Sequence, residues 1–335
     1  MSDNPAPTVF RSAPLLKGGT SVVAVTGGTG FIGGRLVRRL LLEGHSVRVL
    51  TRRPVGQADL PGGAELFHGD LADDQDVLDK FVSGADILYH CAAEINDTKK
   101  MLAANVDGTR NLARAAQGKI QHWVQLSTVD VYGTHADGVI TEETPMAPVN
   151  VYEASKAEAD AMVVEAAATS GFTYSLLRPS KVYGKGMRNQ VLFRLISLLD
   201  RGLFFFIGRS GASANYIHVD DVVEGLIRCG SRPAARNREY NISDYCTIED
   251  FVAILSRALG KSVPRWRISE SWARTAARMT AFIPHTPLTE QRVNAMVKRA
   301  IYSTRRIESE LEYQHRVPMD TGLKQLVMAW TENKR

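Results

Sequence analysis

The sequence predicts an α/β fold: a doubly wound parallel sheet with a smaller, mostly helical C-terminal lobe. Three observations carry this. Short runs that are apolar on both faces alternate with amphipathic helical stretches through the first half of the chain. The first run, Val22–Thr26, ends in a turn with Gly27, Gly30 and Gly33 and passes straight into a helical segment, Arg35–Glu43. After Pro179 the alternation yields to helices rich in Arg and Trp, broken by Pro264, Pro284 and Pro287.

In chain order, residues 1–20 read as a flexible lead-in. Strands are expected at Val22–Thr26, Ser46–Leu50, Ala64–His68, Ile87–Cys91, His122–Ser127 and Tyr174–Arg178. Between them lie helical patterns at Gly33–Glu43, Asp74–Val82, Asn105–Gln117 and Val151–Thr169, and Gly44 stops the first. Val191–Arg201 is helical, and Tyr216–Gly225 returns to strand then helix. The expected partition is therefore a dinucleotide-binding domain of 21–186 plus 215–245 and a second lobe of 187–214 plus 246–335.

Composition narrows the class. The chain has 335 residues, 44% hydrophobic and 23% charged, which suits a soluble globular protein. The net charge of +5 is spread out, without a long basic run or repeated aromatic interleaving, so no nucleic-acid partner is expected. Three separated cysteines, Cys91, Cys229 and Cys246, have no metal-ligand spacing, and the eight histidines form no H-x-x-H cluster, so no metal is expected. No apolar run reaches the roughly 20 residues that span a bilayer. Nor does the N-terminus read as a signal peptide. A cytoplasmic protein without a membrane partner is the expectation.

The chemistry concentrates in three stretches. A glycine turn between strand and helix brings backbone N–H groups to the positive helix end, where a pyrophosphate can sit. Gly27 allows the tight turn, Gly30 the approach of phosphate and Gly33 close packing of helix on strand. At the end of the second strand an acid would bind the ribose of NAD; the chain offers Arg52 and Arg53 instead, which favours the 2′-phosphate of NADP and leaves NAD possible. Tyr152 and Lys156 stand four apart and share a helix face. A nearby ammonium would favour the phenolate and make Tyr152 an acid/base near neutrality. Ser127 and Thr128, at a strand end, place hydroxyls where a substrate oxygen would lie.

With these residues in view, the chain resembles an extended short-chain dehydrogenase/reductase, the group that holds the NAD-dependent epimerase/dehydratase family. The matching stretches are Thr26–Gly33, Gly69–Leu71, His90–Ala93, Asn105–Thr109, Ser127–Gly133, Tyr152–Lys156, Arg178–Gly184 and Tyr216–Asp221. The resemblance implies a Rossmann core in which Thr29, Phe31 and Ile32 join the glycines around the cofactor. It also implies that Thr128 hydrogen-bonds the substrate oxygen, Tyr152 is the acid/base, and Lys156 binds the nicotinamide ribose and tunes Tyr152. Asp70 and Leu71 would flank the adenine, Ala92 and Ala93 would line the cofactor channel, and Asn105 would support the centre. Pro179 would lead into the loop beside the nicotinamide. A homodimer is expected from resemblance alone.

Several readings of the reaction follow. Family members that dehydrate sugar nucleotides carry a glutamate two residues after the Ser/Thr, where this chain has Asp130, one methylene shorter. Arg209, in a loop that resembles those of sugar-nucleotide enzymes, would meet a diphosphate, and Asn189 would play a similar polar role. A sugar-nucleotide epimerase or ketoreductase is the leading expectation. The alternatives are an NADPH-dependent reductase of an apolar ketone, which the Trp266, Trp272, Met279 and Phe282 aromatic and sulfur content would suit as a lid, and a non-catalytic NADP-binding sensor. The stretch Tyr302–Tyr313 resembles the family's late helix and its leucine-glycine-tyrosine-like turn, with Glu312 in place of the glycine.

Overall fold

The computed structural model describes residues 20–54, 60, 62–72, 75–135, 137–187, 190–280, 289–332 and 334. All of the lead-in but Thr20, and Asn189 and Phe282 with it, lie outside these residues.

Seven strands form the main sheet: β1 (Val22–Thr26), β2 (Ser46–Thr51), β3 (Glu65–His68), β4 (Ile87–His90), β5 (His122–Leu126), β6 (Thr173–Pro179) and β7 (Arg238–Ile242). Their order is β3-β2-β1-β4-β5-β6-β7, and every pairing is parallel. The order reverses between β1 and β4. Such a switch point opens a crevice at the carboxyl ends of the strands.

The strands are apolar throughout because both faces are covered. Val23, Val25, Val124 and Leu177 face one buried layer with Leu36 and Leu40 of α1 (Gly33–Leu42). Their neighbours Ala24, Trp123 and Leu176 face the other, with Leu112 of α2 (Gly108–Ala116) and Val163 of α3 (Val151–Ser170). Successive side chains of a strand point to opposite faces, so each residue of such a run is buried.

β7 did not stand out in the sequence. Its run, Arg-Glu-Tyr-Asn-Ile, carries three polar residues, which suit its place at the sheet edge. The strand expected near Tyr216 belongs elsewhere. Ser213–His218 pairs in parallel with Lys181–Tyr183 and antiparallel with Asp244–Thr247, forming a separate three-stranded sheet. The helix after it, Val219–Ser231, returns to the main core through Val222, Val223 and Leu226.

A further core joins Leu192 and Ile196 to Phe251 and Leu255 and to Leu323 and Leu326. Three distant segments thus build this core. Among the described residues, no helix is long and apolar enough to cross a membrane.

Candidate active site

β1 leads into Gly27, whose φ of +69° lies in the left-handed region. A Cβ there would stand 2.6 Å from the Ala92 nitrogen, and one on Gly33 only 2.3 Å from the Gly27 carbonyl oxygen. Both positions need glycine for close backbone packing. Gly30 differs: it is exposed, and a Cβ on it would meet only the Gly27 oxygen, at 3.1 Å. No side chain caps the N-terminus of α1, and the Gly34 and Arg35 N–H groups donate to the Gly30 and Ile32 carbonyls at 2.9 and 3.1 Å. This cradle fits a dinucleotide pyrophosphate in shape and in charge. Thr29, Phe31 and Ile32 line the same turn, each half-buried.

Beyond β2, Arg52 and Arg53 are both exposed. The Arg52 guanidinium reaches the Asp70 carboxylate at 3.7 Å, so two residues from different strand ends meet. Leu71 is buried, and a Cβ on Gly108 at the start of α2 would lie 2.9 Å from its Cβ.

A one-way hydrogen-bond chain holds the ends of β1 and β4. The Ala92 N–H donates to Thr26 Oγ1 (3.3 Å), and Thr26 lies 2.6 Å from His90 Nδ1. On the other side, His90 Nε2 lies 3.0 Å from Thr109 Oγ1, whose hydroxyl donates to the Asn105 carbonyl at 2.6 Å. That last bond uses the Thr109 hydrogen, so His90 donates from Nε2 and accepts the Thr26 hydroxyl at Nδ1. Burial, together with the Lys156 charge, holds the His90 pKa at about 3, so the ring is neutral. Asn105 carries the chain onward: it accepts from the Glu94 N–H (2.7 Å) and donates to the Glu94 carbonyl (3.0 Å) and Ser155 Oγ (3.0 Å). The helix expected to start at Asn105 starts earlier, with a turn at Thr98–Met101 and a π-helical stretch, Leu102–Asp107, before α2. The wider turn carries Asn105. Ala92 is half-buried and Ala93 exposed on the loop this network holds.

α3 begins where Asn150 accepts from the Glu153 N–H at 3.0 Å and Glu153 accepts from the Val149 N–H at 2.8 Å. This reciprocal cap fixes the register and puts Tyr152 and Lys156 in the first turns. Lys156 is buried, and its ammonium donates to the Leu126 carbonyl at the end of β5 at 2.8 Å. Burial lowers its pKa, while Asp160 and Cys91 pull it back up.

Thr128, just past β5, accepts from the Asp130 N–H at 3.1 Å. Its hydroxyl hydrogen is left to give, and its influence lowers the pKa of the neighbouring Tyr152. Ser127 is committed elsewhere: it donates to Asp160 Oδ2 at 2.8 Å. Asp160 also holds the buried Arg178 at 3.1 Å, and Arg178 reaches the Tyr132 hydroxyl at 3.0 Å. Of the two hydroxyls expected at the strand end, only Thr128 therefore faces the site.

The charge balance at Tyr152 differs from the sequence expectation. Burial and the Asp130 carboxylate raise the phenol well above its usual range, against the Thr128 hydrogen bond. Lys156 is not among its main influences, because the ammonium is turned to the Leu126 carbonyl. Tyr152 is held as the neutral phenol.

Arg209 is exposed, and its carbonyl accepts from Arg299 at 3.1 Å. Pro179 closes β6, paired with Ile242 of β7. Sequence reasoning did not single out His90, Thr26 and Thr109 as a relay, nor Lys298, which donates to the Tyr302 hydroxyl at 2.9 Å near Asp130. Polar residues at buried strand ends were the available signal for Thr26 and His90, whereas Thr109 is a buried polar residue in the first turn of α2.

A doubly wound sheet with a glycine cradle at its switch point, and with Thr, Tyr and Lys gathered past β5, has the architecture of a short-chain dehydrogenase/reductase. Residues 23–243 match the NAD dependent epimerase/dehydratase family. The chain belongs to that family. It is 31% identical over 261 residues to a dTDP-glucose 4,6-dehydratase of Streptomyces griseus, covering 72% of this chain and 79% of that one. It is 30% identical over 271 residues to a 3 beta-hydroxysteroid dehydrogenase/Delta 5-->4-isomerase of Mycobacterium tuberculosis, covering 74% and 72%. Among solved structures, MoeE5 in complex with UDP-glucose and NAD superposes with a TM-score of 0.72 at 25% identity, covering 93% of this chain and 99% of that one.

Proposed function

We propose that this protein is an NAD(P)-dependent oxidoreductase or epimerase acting on a nucleotide-sugar. In this reading, the glycine turn holds the cofactor pyrophosphate, and Arg52 and Arg53 favour NADP. Asp70 and Leu71 border the adenine, and Ala92, Ala93, Asn105 and Pro179 shape the channel. The lobe of 187–214 and 246–335 receives the substrate, with Asp130 and Arg209 contributing polar contacts. When bound, the nicotinamide supplies or accepts hydride at a carbon bearing oxygen.

The observation that carries the reading is the directed pair at Thr128. Thr128 accepts the Asp130 N–H at one lone pair and keeps its single hydroxyl hydrogen to give. A substrate oxygen replacing that contact receives hydrogen bonds from both Thr128 and the neutral Tyr152 phenol. The arrangement polarises a carbonyl and delivers a proton to it, which is the acid half of ketone reduction. Lys156 supplies a fixed positive charge and donors to a ribose. The dehydratase relative and the UDP-glucose complex of MoeE5 favour a sugar nucleotide.

A second reading, an NADPH-dependent reductase of an apolar ketone, draws on the steroid dehydrogenase relative and on the exposed Trp266 and Trp272. Calorimetric titration of cofactor-free protein with NADPH and NADH, with and without UDP or dTDP, separates the two. NADPH preference with nucleotide binding supports a keto-sugar-nucleotide enzyme. NADPH binding indifferent to nucleotides supports the apolar ketone. NADH preference removes the arginines from cofactor choice.

A further inference from the structure

We propose that Asp160 and Arg178 are positioning residues for the Tyr152 centre: their buried pair locks the turn that follows Thr128 against the helix that carries Tyr152 and Lys156. The inference rests on the reading of Thr128 as the donor to the reacting oxygen.

Tyr152, Lys156 and Asp160 stand four apart on α3, so their side chains share one face over two turns. That face meets three successive residues at the end of β5. Lys156 donates to the Leu126 carbonyl at 2.8 Å, Asp160 accepts from the Ser127 hydroxyl at 2.8 Å, and Tyr152 neighbours Thr128. The register between helix and strand end is thereby set residue by residue.

Arg178 ties the far end of the same turn. It projects from β6, beside β5, and is fully buried. Its Nε donates to Asp160 Oδ2 at 3.1 Å, and its Nη1 reaches the Tyr132 hydroxyl at 3.0 Å and the Glu239 carboxylate at 2.7 Å. The Tyr132 hydroxyl, having accepted from Arg178, donates to Asn241 Oδ1 on β7 at 2.9 Å. The turn Val129–Tyr132 starts directly after Thr128. Thr128 therefore lies between two anchors, Ser127 on Asp160 and Tyr132 on Arg178, and the anchors are joined to each other.

The attraction within a buried ion pair is largely offset by lost hydration, so such a pair is weak evidence for stability. Directed, satisfied bonds in a buried network instead fix orientation. Catalysis depends on that orientation, since a misplacement of ~1 Å can cost ~10²-fold in rate. Ser127 spends its single hydroxyl hydrogen on Asp160, so its part is to hold the strand end and not to donate to substrate.

The test combines crystal structures of full-length variants with steady-state reduction of dTDP-4-keto-6-deoxyglucose by NADPH. Ser127→Ala and Asp160→Ala should each move Thr128 Oγ1 relative to the Tyr152 phenol by more than ~0.5 Å, the tolerance of a productive site. In both, kcat should fall ~10–10²-fold with KM changed by less than about twofold, and Ser127→Thr should keep most of the rate. In a Thr128→Val background, Ser127→Ala should cost less than about twofold more, because its effect passes through Thr128. Asp160→Asn keeps an acceptor for Ser127 and Arg178, so Thr128 should stay in place while the lost charge lowers the melting temperature. Position and stability then separate, which a merely structural role does not allow. If Asp160→Ala fails to fold, Ser127→Ala decides alone. Thr128 unmoved in Ser127→Ala, or independent losses from Ser127→Ala and Thr128→Val, overturn the inference. Displacement of Thr128 in a protein whose unmodified form does not reduce the keto sugar defeats the nucleotide-sugar reading and leaves the positioning role standing.

Discussion

The Asp130 backbone N–H donates to Thr128 Oγ1 at 3.1 Å, while the Asp130 carboxylate raises the pKa of Tyr152. One residue thus occupies a lone pair of the Thr128 hydroxyl and adds to the burial that keeps the phenol protonated. Thr128→Val should remove the donor to the reacting oxygen and lower kcat/KM by ~10²-fold, the scale of a lost oxyanion donor. Tyr152→Phe should cost ~10²–10⁴-fold, the range of general acid catalysis. Both variants should keep cofactor affinity within about twofold. Steady-state kinetics with a reducible ketone substrate checks this, and retained turnover in Tyr152→Phe would remove the phenol from the mechanism.

Asp130→Asn isolates the second effect. Removing the carboxylate removes a negative charge that opposes ionisation, so the Tyr152 pKa should fall. In the reducing direction the protonated phenol is the active form. The rate should therefore be flat through neutrality and decline only in alkali, with the decline moved to lower pH in the variant. In the oxidising direction the phenolate acts, so the rise with pH should begin earlier in the variant. Alkaline limbs that coincide for the two proteins would show that Asp130 does not tune the phenol.

Arg52 meets Asp70 at 3.7 Å across the ends of two strands. Arg52 is largely solvated and Asp70 partly so, so the pair adds little to stability. The arginine is thereby available to a 2′-phosphate. Arg52→Ala should weaken NADPH by ~10-fold or more and NADH by less than twofold. Equal weakening of the two would mean that Arg52 does not read the phosphate.

How far the sequence reaches is clear from particular residues. Val23–Val25 and Val124 declared a sheet buried on both faces, and Gly27 and Gly33 marked backbone contacts that leave no room for a Cβ. These are local patterns with one physical cause each. The polarity of β7 hid it, because Asn241 is buried through partners far along the chain, such as the Tyr132 hydroxyl at 2.9 Å and the Glu142 carboxylate at 2.7 Å. The placement of Lys298 was hidden for the same reason: it depends on Tyr302 docking against a turn near residue 130. The Tyr152–Lys156 spacing indicated a shared face but not the orientation of the ammonium, which the Leu126 carbonyl decides.

Two buried histidines make stability depend on pH. His90 and His122 are each held at about 3, mainly by burial, against an ordinary value near 6.5. Below pH ~6.5 the unfolded chain takes up protons that the folded chain refuses. The stability present above that pH is therefore lost as pH falls towards 3. The slope is about 1.4 kcal/mol per pH unit for each ring, or about 2 kcal/mol each by pH 5. Urea midpoints from pH 7 to 5 should fall accordingly, and His122→Asn should roughly halve the contribution of this pair. An unaltered slope in His122→Asn would assign the acid sensitivity to other groups.

Glu312 gives a test of the backbone alone. It caps the helix Arg305–Leu311 at a φ of +54°, in the left-handed region where the resemblance places glycine. An L-residue there costs about 1–2 kcal/mol relative to its preferred conformations, and glycine avoids that cost. The ion pair from Arg232 to Glu312, at 2.6 Å between exposed side chains, offsets only a few tenths of a kcal/mol. Glu312→Gly should therefore stabilise the protein by about 0.5–1 kcal/mol, a Tm rise of about 1 °C. Glu312→Ala loses the ion pair and keeps the strain, so it should be no more stable than the starting protein. If the Ala and Gly variants unfold at the same temperature, the left-handed cap is not under strain.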